Sequence, residues 1–216
     1  VRLYKFGSIP DGFNQDGAMA VVDGISLAKY GTDRYGMRMP VHLTAWGYGQ
    51  MSSLLSYFVA IFYNLFGFSF LVVRLPILII SLVASVCFYF LVRDIFGRDI
   101  SLIALFLLAI NPWHIMQSRW VLDCNLFPHF LIIGMFLLNK GINKKIYLYL
   151  SMILFGLSMY CYGISIYTVP LLLLFICVYF KKNKIVNIKD IVICIIIYLF
   201  FSWPFILTMI INYFKI

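Results

Sequence analysis

Glutamate is absent from these 216 residues, so every acidic role falls to Asp11, Asp16, Asp23, Asp33, Asp94, Asp99, Asp123 or Asp190. Charge of any kind is scarce. Charged residues make up 12% of the chain, against about 25% in soluble domains, while apolar residues reach 63%. No soluble protein of this size could bury so much apolar surface, which places the chain in a bilayer. The same scarcity of polar residues excludes disorder and a disulfide-framed secreted domain. No CxxC pair occurs and the five cysteines are an odd number, so neither a zinc site nor a disulfide framework is indicated. Cys87, Cys161, Cys177 and Cys194 lie in or beside apolar runs, and only Cys124 lies in a polar connection. A net charge of +9 is present without a single basic patch. The cations sit in short clusters between apolar runs, as topology signals do, which argues against nucleic acid and for membrane lipids as partners.

What the chain has in quantity is apolar length. From Leu75 onward the runs are Leu75–Val92, Ile100–Ile115 with a break at Asn111-Pro112, Leu126–Leu138, Ile146–Tyr162, Tyr167–Phe180 and Ile191–Ile211. None contains Asp, Lys or Arg. The expected fold is therefore an all-α integral membrane bundle of about six helices over 75–216. Residues 1–74 precede it as a polar loop with juxtamembrane helices. Residue 1 is Val and the chain stops as the last run ends, so it reads as a fragment of a longer protein.

Sidedness follows from the cations. Arg93 and Arg98 follow the first run, Lys140, Lys144 and Lys145 the third, and Lys181, Lys182, Lys184 and Lys189 the fifth. With two runs between successive clusters, all three fall on one face, which the positive-inside rule makes cytoplasmic. Residues 1–74, 111–125 and the Tyr162–Tyr167 turn then face outward. Gln50–Phe66 decides the first of these. Its Ser53, Ser56, Ala60 and Asn64 recur at helical spacing opposite a large apolar face, which predicts a helix lying in the interface.

The outward stretches hold the candidate chemistry. Asp11 and Asp16 stand in Pro10-Asp11-Gly12-Phe13-Asn14-Gln15-Asp16-Gly17, where a carboxylate could serve as a general base or simply cap a helix beginning at Gly17. Asp33 lies in a second such segment, Gly31-Thr32-Asp33-Arg34-Tyr35-Gly36. Asn111–Asn125 brings His114, Arg119 and Asp123 together between two tryptophans. Arg119 could grip a phosphate bidentately or pair with Asp123 at i,i+4. Tyr162, in an aromatic hairpin, could present a hydroxyl or belong to an interfacial aromatic belt. His129, inside an apolar run, reads as a helix–helix hydrogen-bonding group. The residues alone leave these alternatives open.

Taken in order, these segments resemble a family. Gln15-Asp16-Gly17-Ala18, Gly31-Thr32-Asp33-Arg34-Tyr35-Gly36, Leu65-Phe66-Gly67-Phe68, Arg74-Leu75-Pro76, Arg93-Asp94-Ile95-Phe96-Gly97 and Asn111-Pro112-Trp113-His114-Ile115-Met116-Gln117-Ser118-Arg119-Trp120 are similar to the N-terminal half of bacterial GT-C membrane glycosyltransferases. The likeness is to glycosyltransferase family 39, the dolichyl-phosphate-mannose protein mannosyltransferase-like group. Its relatives include aminoarabinose and galacturonic acid transferases of lipopolysaccharide. The resemblance implies inverting transfer of a sugar from a polyprenyl-phosphate carrier to a lipid, glycan or protein acceptor at the outer face of a bacterial plasma membrane. It implies Asp16 as general base, at the position of the family's acidic motif, although the motif's usual Glu is Gly17 here. Arg119 would stabilise the departing phosphate, with Asp123, His114, Asp33 and Tyr162 in support. Asp123 would either orient Arg119 or hold a divalent metal ion with Asp16. A transporter or a non-catalytic scaffold is the rival reading. It fits less well, because every Asp, Lys and Arg lies in a connection or at a span edge.

Overall fold

A computed structural model describes residues 2–46 and 49–214. The polar first segment folds around helix α1 (Gln15–Tyr30), which starts on Asn14 and ends on Gly31. The Asn14 side chain accepts the Gly17 N–H at 2.9 Å, so the N-cap is Asn14 and not Asp16. Asp16 lies in the first turn, where a negative charge is favoured by the helix dipole. Of its buried residues, Ala20 and Gly24 face helix α2 (Leu54–Phe66). The Ser56 hydroxyl donates to the Ala20 carbonyl at 2.9 Å, and a Cβ on Gly24 would come 2.8 Å from the Ser56 carbonyl. The two helices cross at backbone contact, which only glycine permits there.

Between these helices lies a two-stranded antiparallel ribbon, β1 (His42–Ala45) and β2 (Gly49–Ser52), with His42 opposite Ser52 and Leu43 opposite Met51. This corrects the expectation of a helix from Gln50, since helix α2 begins only at Leu54. The backbone groups of so short a segment find their partners across the ribbon. Helix α2 spans ~20 Å at about 1.5 Å per residue, short of a hydrocarbon core of about 30 Å. Its Ser53, Ser56 and Ala60 are buried, while Ile61, Leu65 and Phe66 are exposed.

Each apolar run is helical, the second as two helices. In order they are α3 (Phe70–Phe96), α4 (Arg98–Ile110), α5 (Pro112–Gln117), α6 (Leu126–Gly141), α7 (Lys145–Ser158), α8 (Ser165–Lys182) and α9 (Ile188–Phe214). The second run breaks at Asn111-Pro112, where the Asn111 side chain accepts the His114 N–H and Pro112 opens α5. Among the described residues three helices are long and apolar enough to cross a membrane: Phe70–Phe96, Ser165–Lys182 and Ile188–Ile211. Helices α4, α6 and α7 are shorter than a spanning helix of about 17–25 residues.

Contacts give the bundle two ends. At one, Lys140 at the end of α6 pairs with Asp94 at the end of α3 at 2.6 Å. There too Lys145 at the start of α7 pairs with Asp190 at the start of α9 at 2.7 Å. The basic clusters thus gather at one end, as their spacing predicts. At the other end the Leu54 N–H donates to the Tyr160 carbonyl and the Tyr160 hydroxyl to the Phe201 carbonyl. This ties α2, the α7–α8 turn and α9 together beside the ribbon.

Candidate active site

At the end away from the basic clusters, α1 meets the connection between α5 and α6. The contact is made at Gly17. A Cβ there would lie 2.5 Å from the Val121 carbonyl oxygen, so no side chain fits. The Val121 carbonyl therefore occupies the space that a side chain at position 17 would take. That close approach brings a second carboxylate instead. Asp123 opens a 3-10 turn, Asp123–Asn125, and its two oxygens accept the Ser52 N–H at 3.2 Å and the Cys124 N–H at 2.8 Å. Burial pushes the Asp123 carboxyl above the usual carboxylate range, and the charge of Asp16 raises it further against those hydrogen bonds. Asp16 itself is exposed. Gly17, beside Asp16, thus packs on Val121, two residues before Asp123. Among the described residues no group of three His, Cys, Asp or Glu side chains gathers to hold a metal ion. Cys124, the one thiol in a polar connection, is pushed up to about 11, chiefly by burial, and is held as the unreactive thiol.

Asp123 lines a cavity of about 290 Å³ with His42, Met51, Ser52, Tyr162, Gly163, Ile164 and Met209. Tyr162 therefore does stand with Asp123. His42 was missed. Its alternation with Leu43, Thr44 and Ala45 is the only strand signal in the segment, and it brings His42 opposite Ser52. The imidazole packs on Phe205, ring centroids 4.6 Å apart, and its Nε2 is buried with no hydrogen-bond partner. Burial lowers its pKa, so the ring is neutral at pH 7.

The remaining expected residues lie elsewhere. Arg119 is buried, and its guanidinium is turned to the N-terminal segment. Nε and both terminal nitrogens donate to the carbonyls of Ile9, Arg2, Tyr4 and Lys5 at 2.8–3.3 Å. This corrects its assignment as a phosphate ligand, because the fork is occupied by carbonyls. Its expected helical pairing with Asp123 also fails, since α5 ends at Gln117. Arg74 is a second such clamp, fully buried and donating to the carbonyls of Phe6, Gly7, Pro10 and Gly12. His114 belongs to the same structure. Its Nδ1 meets the Arg2 guanidinium at 2.6 Å while Arg2 also caps α4 through the carbonyls of Leu108 and Ala109. Burial, His129 and Arg2 hold the His114 imidazole down to about 4. Asp33 is a turn residue, one oxygen accepting the N–H groups of Tyr35 and Met37 at 2.9 Å. Its neighbour Arg34 pairs with buried Asp23 at 3.7 Å and donates to the Thr44 carbonyl, locking β1 to α1.

The family profile described as dolichyl-phosphate-mannose-protein mannosyltransferase matches residues 52–207. The chain belongs to this family. The matched stretch carries Asp123 and Tyr162, whereas Asp16 and His42 precede it. In fold the protein is similar to ArnT from Cupriavidus metallidurans in the apo state, with a TM-score of 0.70 over 93% of this chain at 12% identity. The chain spans 38% of the length of that protein. No curated protein matches it in sequence. Family and fold agree on an integral membrane protein of the multi-span helical class.

Proposed function

We propose that this chain carries the acceptor-activating part of a membrane glycosyltransferase. The enzyme moves a sugar, with inversion, from a polyprenyl-phosphate carrier to a hydroxyl or amine of a lipid, glycan or protein acceptor. The reaction takes place at the exocytoplasmic face of a bacterial plasma membrane. Helix α2 lies in that interface, and residues 1–74 lie outside the bilayer with it. The observation that supports the reading is the close packing of Gly17, next to Asp16, on the Val121 carbonyl, two residues before Asp123, at the end of the bundle remote from the basic clusters.

Asp16 takes the proton from the acceptor as it attacks the anomeric carbon. Its exposure leaves it open to a mobile acceptor. Asp123, whose two oxygens are held by the Ser52 and Cys124 amides, flanks the site from the 3-10 turn. A positioned general base contributes on the order of 10²–10⁴ in rate. Asp16→Asn in the full-length protein keeps the first-turn geometry, because the cap belongs to Asn14. That variant is expected to express and fold as wild type while losing sugar transfer by about that factor. Wild-type transfer rates in Asp16→Asn would overturn the proposal.

A further inference from the structure

A cavity of about 300 Å³ lies between α6, α7, α8 and α9. Its inner wall includes Leu173, Cys194 and Tyr198, which are buried, and its rim Leu174, Ile195 and Leu199, which are exposed. The hollow is therefore a groove that opens sideways between α8 and α9. It exists because α8 packs only loosely on α7 and scarcely touches α9. Among the described residues no charged side chain lines it. Walls that face an empty hollow forfeit their dispersion contacts, and in a bilayer the group at hand to restore them is a hydrocarbon chain. The volume is at the small end of ligand pockets, enough for a stretch of one chain and not for a whole lipid.

What the chain carries at its head is set by the end of the groove. Phe180 and Val186 line it there, on either side of the turn between α8 and α9. The turn folds back so that the Ile185 N–H donates to the Phe180 carbonyl at 3.0 Å. Lys181 follows Phe180 directly, Lys182 comes next, and Lys184 stands two residues before Val186; all three are exposed. Among the described residues none of them makes an ion pair. Asp190 is the only acid after Asp123, and Lys145 occupies it at 2.7 Å. Unpaired lysines beside an apolar groove at the basic end of a bundle are complementary to a lipid with a negative headgroup. A zwitterionic lipid would leave that charge uncompensated. A second copy docked symmetrically on the groove would set the same lysines against one another.

We propose that the groove between α8 and α9 holds an acyl chain of an anionic phospholipid, drawn from the leaflet that the basic connections face, with its phosphate met by Lys181, Lys182 and Lys184. The site lies at the opposite end of the bundle from Asp16 and takes no part in sugar transfer. It needs only the membrane setting that family and fold establish.

The full-length protein, stripped of lipid in detergent, is titrated with dioleoylphosphatidylglycerol or dioleoylphosphatidylcholine, and bound lipid is counted by native mass spectrometry. Wild type is expected to bind the first phosphatidylglycerol about tenfold more tightly than phosphatidylcholine, on the scale of a few exposed lysines near an anionic lipid. The combined variant Lys181→Gln, Lys182→Gln, Lys184→Gln should bring that ratio close to one. Removing three exposed cations from the other end, with Lys5→Gln, Lys29→Gln and Arg38→Gln, should leave it unchanged. Ile195→Trp crowds the exposed rim of the groove and should weaken binding of the first phosphatidylglycerol about tenfold. Thermal unfolding in detergent alone checks that each variant is folded. Equal affinity of wild type for the two lipids overturns the inference, as does a preference kept by the first triple variant or lost equally in the second. Unchanged binding in Ile195→Trp removes the groove from the site. No bound lipid at all would mean that another segment of the full-length chain fills the groove, which also overturns it.

Discussion

At the scale of single residues, the smallest side chain does most to build the site. Gly17 lets the Val121 carbonyl approach α1, two residues before Asp123. Gly17→Ala puts a methyl 2.5 Å from that oxygen, so the 121–125 connection has to withdraw. The expected loss is about 1–3 kcal/mol of stability, the usual range for overpacking. Sugar transfer is expected to fall with it, as Asp123 leaves the site. Gly163→Ala is the matched control in the same cavity lining, because a Cβ there meets open space. Thermal unfolding and transfer assays on the two full-length variants check this. Equal behaviour of the pair would mean that the connection yields without cost. Gly17 also illustrates what a sequence conceals. As a letter it marked the loss of a carboxylate from a motif. In space it is the reason a connection from more than a hundred residues away packs directly on α1.

At the scale of elements, the segment from Arg2 to Gly12 is held by two buried guanidinium groups, Arg119 and Arg74, and by Arg2 on His114. It has no regular structure of its own, so these bonds satisfy carbonyls that a helix or strand would otherwise pair. Lysine has one nitrogen and cannot reach the Arg2, Tyr4 and Ile9 carbonyls together. Arg119→Lys is expected to cost about 2 kcal/mol locally and to raise trypsin cleavage after Lys5 roughly thirtyfold. Cleavage at the wild-type rate would remove Arg119 from this role. The same clamp is pH-dependent. His114 accepts from Arg2 only when neutral, and its pKa of about 4 lies below the ordinary 6.5. Its contribution is therefore complete above about pH 6.5 and is lost as pH falls toward 4. Hydrogen exchange of amides 3–9, corrected for intrinsic rates, should rise across that window, and His114→Gln should flatten the rise.

Elements also divide what was legible from what was not. The long apolar runs were readable because nothing but a helix satisfies an uninterrupted apolar backbone in lipid. The break at Asn111-Pro112 was readable because a capping side chain and a proline coincide there. The ribbon was not, because strands of four residues carry too short an alternation to outweigh the helical spacing of the serines that follow. Arg119 was misread for a related reason. A guanidinium between tryptophans has the composition of a phosphate site, and only the fold shows that its partners are carbonyls contributed by residues 2–9.

At the scale of the whole molecule, the arrangement is a bundle whose ends differ in charge. Asp94 gathers Lys140, and Asp190 gathers Lys145, at the end where the basic clusters meet. The acidic residues Asp16 and Asp123 sit with α1, α2 and the ribbon at the other. The proposed orientation follows the positive-inside rule, which puts basic connections on the cytoplasmic side. The proposed chemistry depends on that orientation. If it were reversed, Asp16 would face the cytoplasm, where no outward-facing lipid-linked sugar could reach it. Exposed reporters are available at both ends. Tyr35 lies in the loop after α1, and Asn143 lies between α6 and α7 beside the Lys140 and Lys145 ion pairs. With the five native cysteines replaced by alanine, Tyr35→Cys should react with a membrane-impermeant maleimide in intact cells. Asn143→Cys should react only after the cells are opened. Both residues are exposed, so a difference between them reports the membrane and not burial. Labelling of both from outside would break the two-ended arrangement, and labelling of Asn143→Cys alone would invert it and place Asp16 on the wrong side for the reaction.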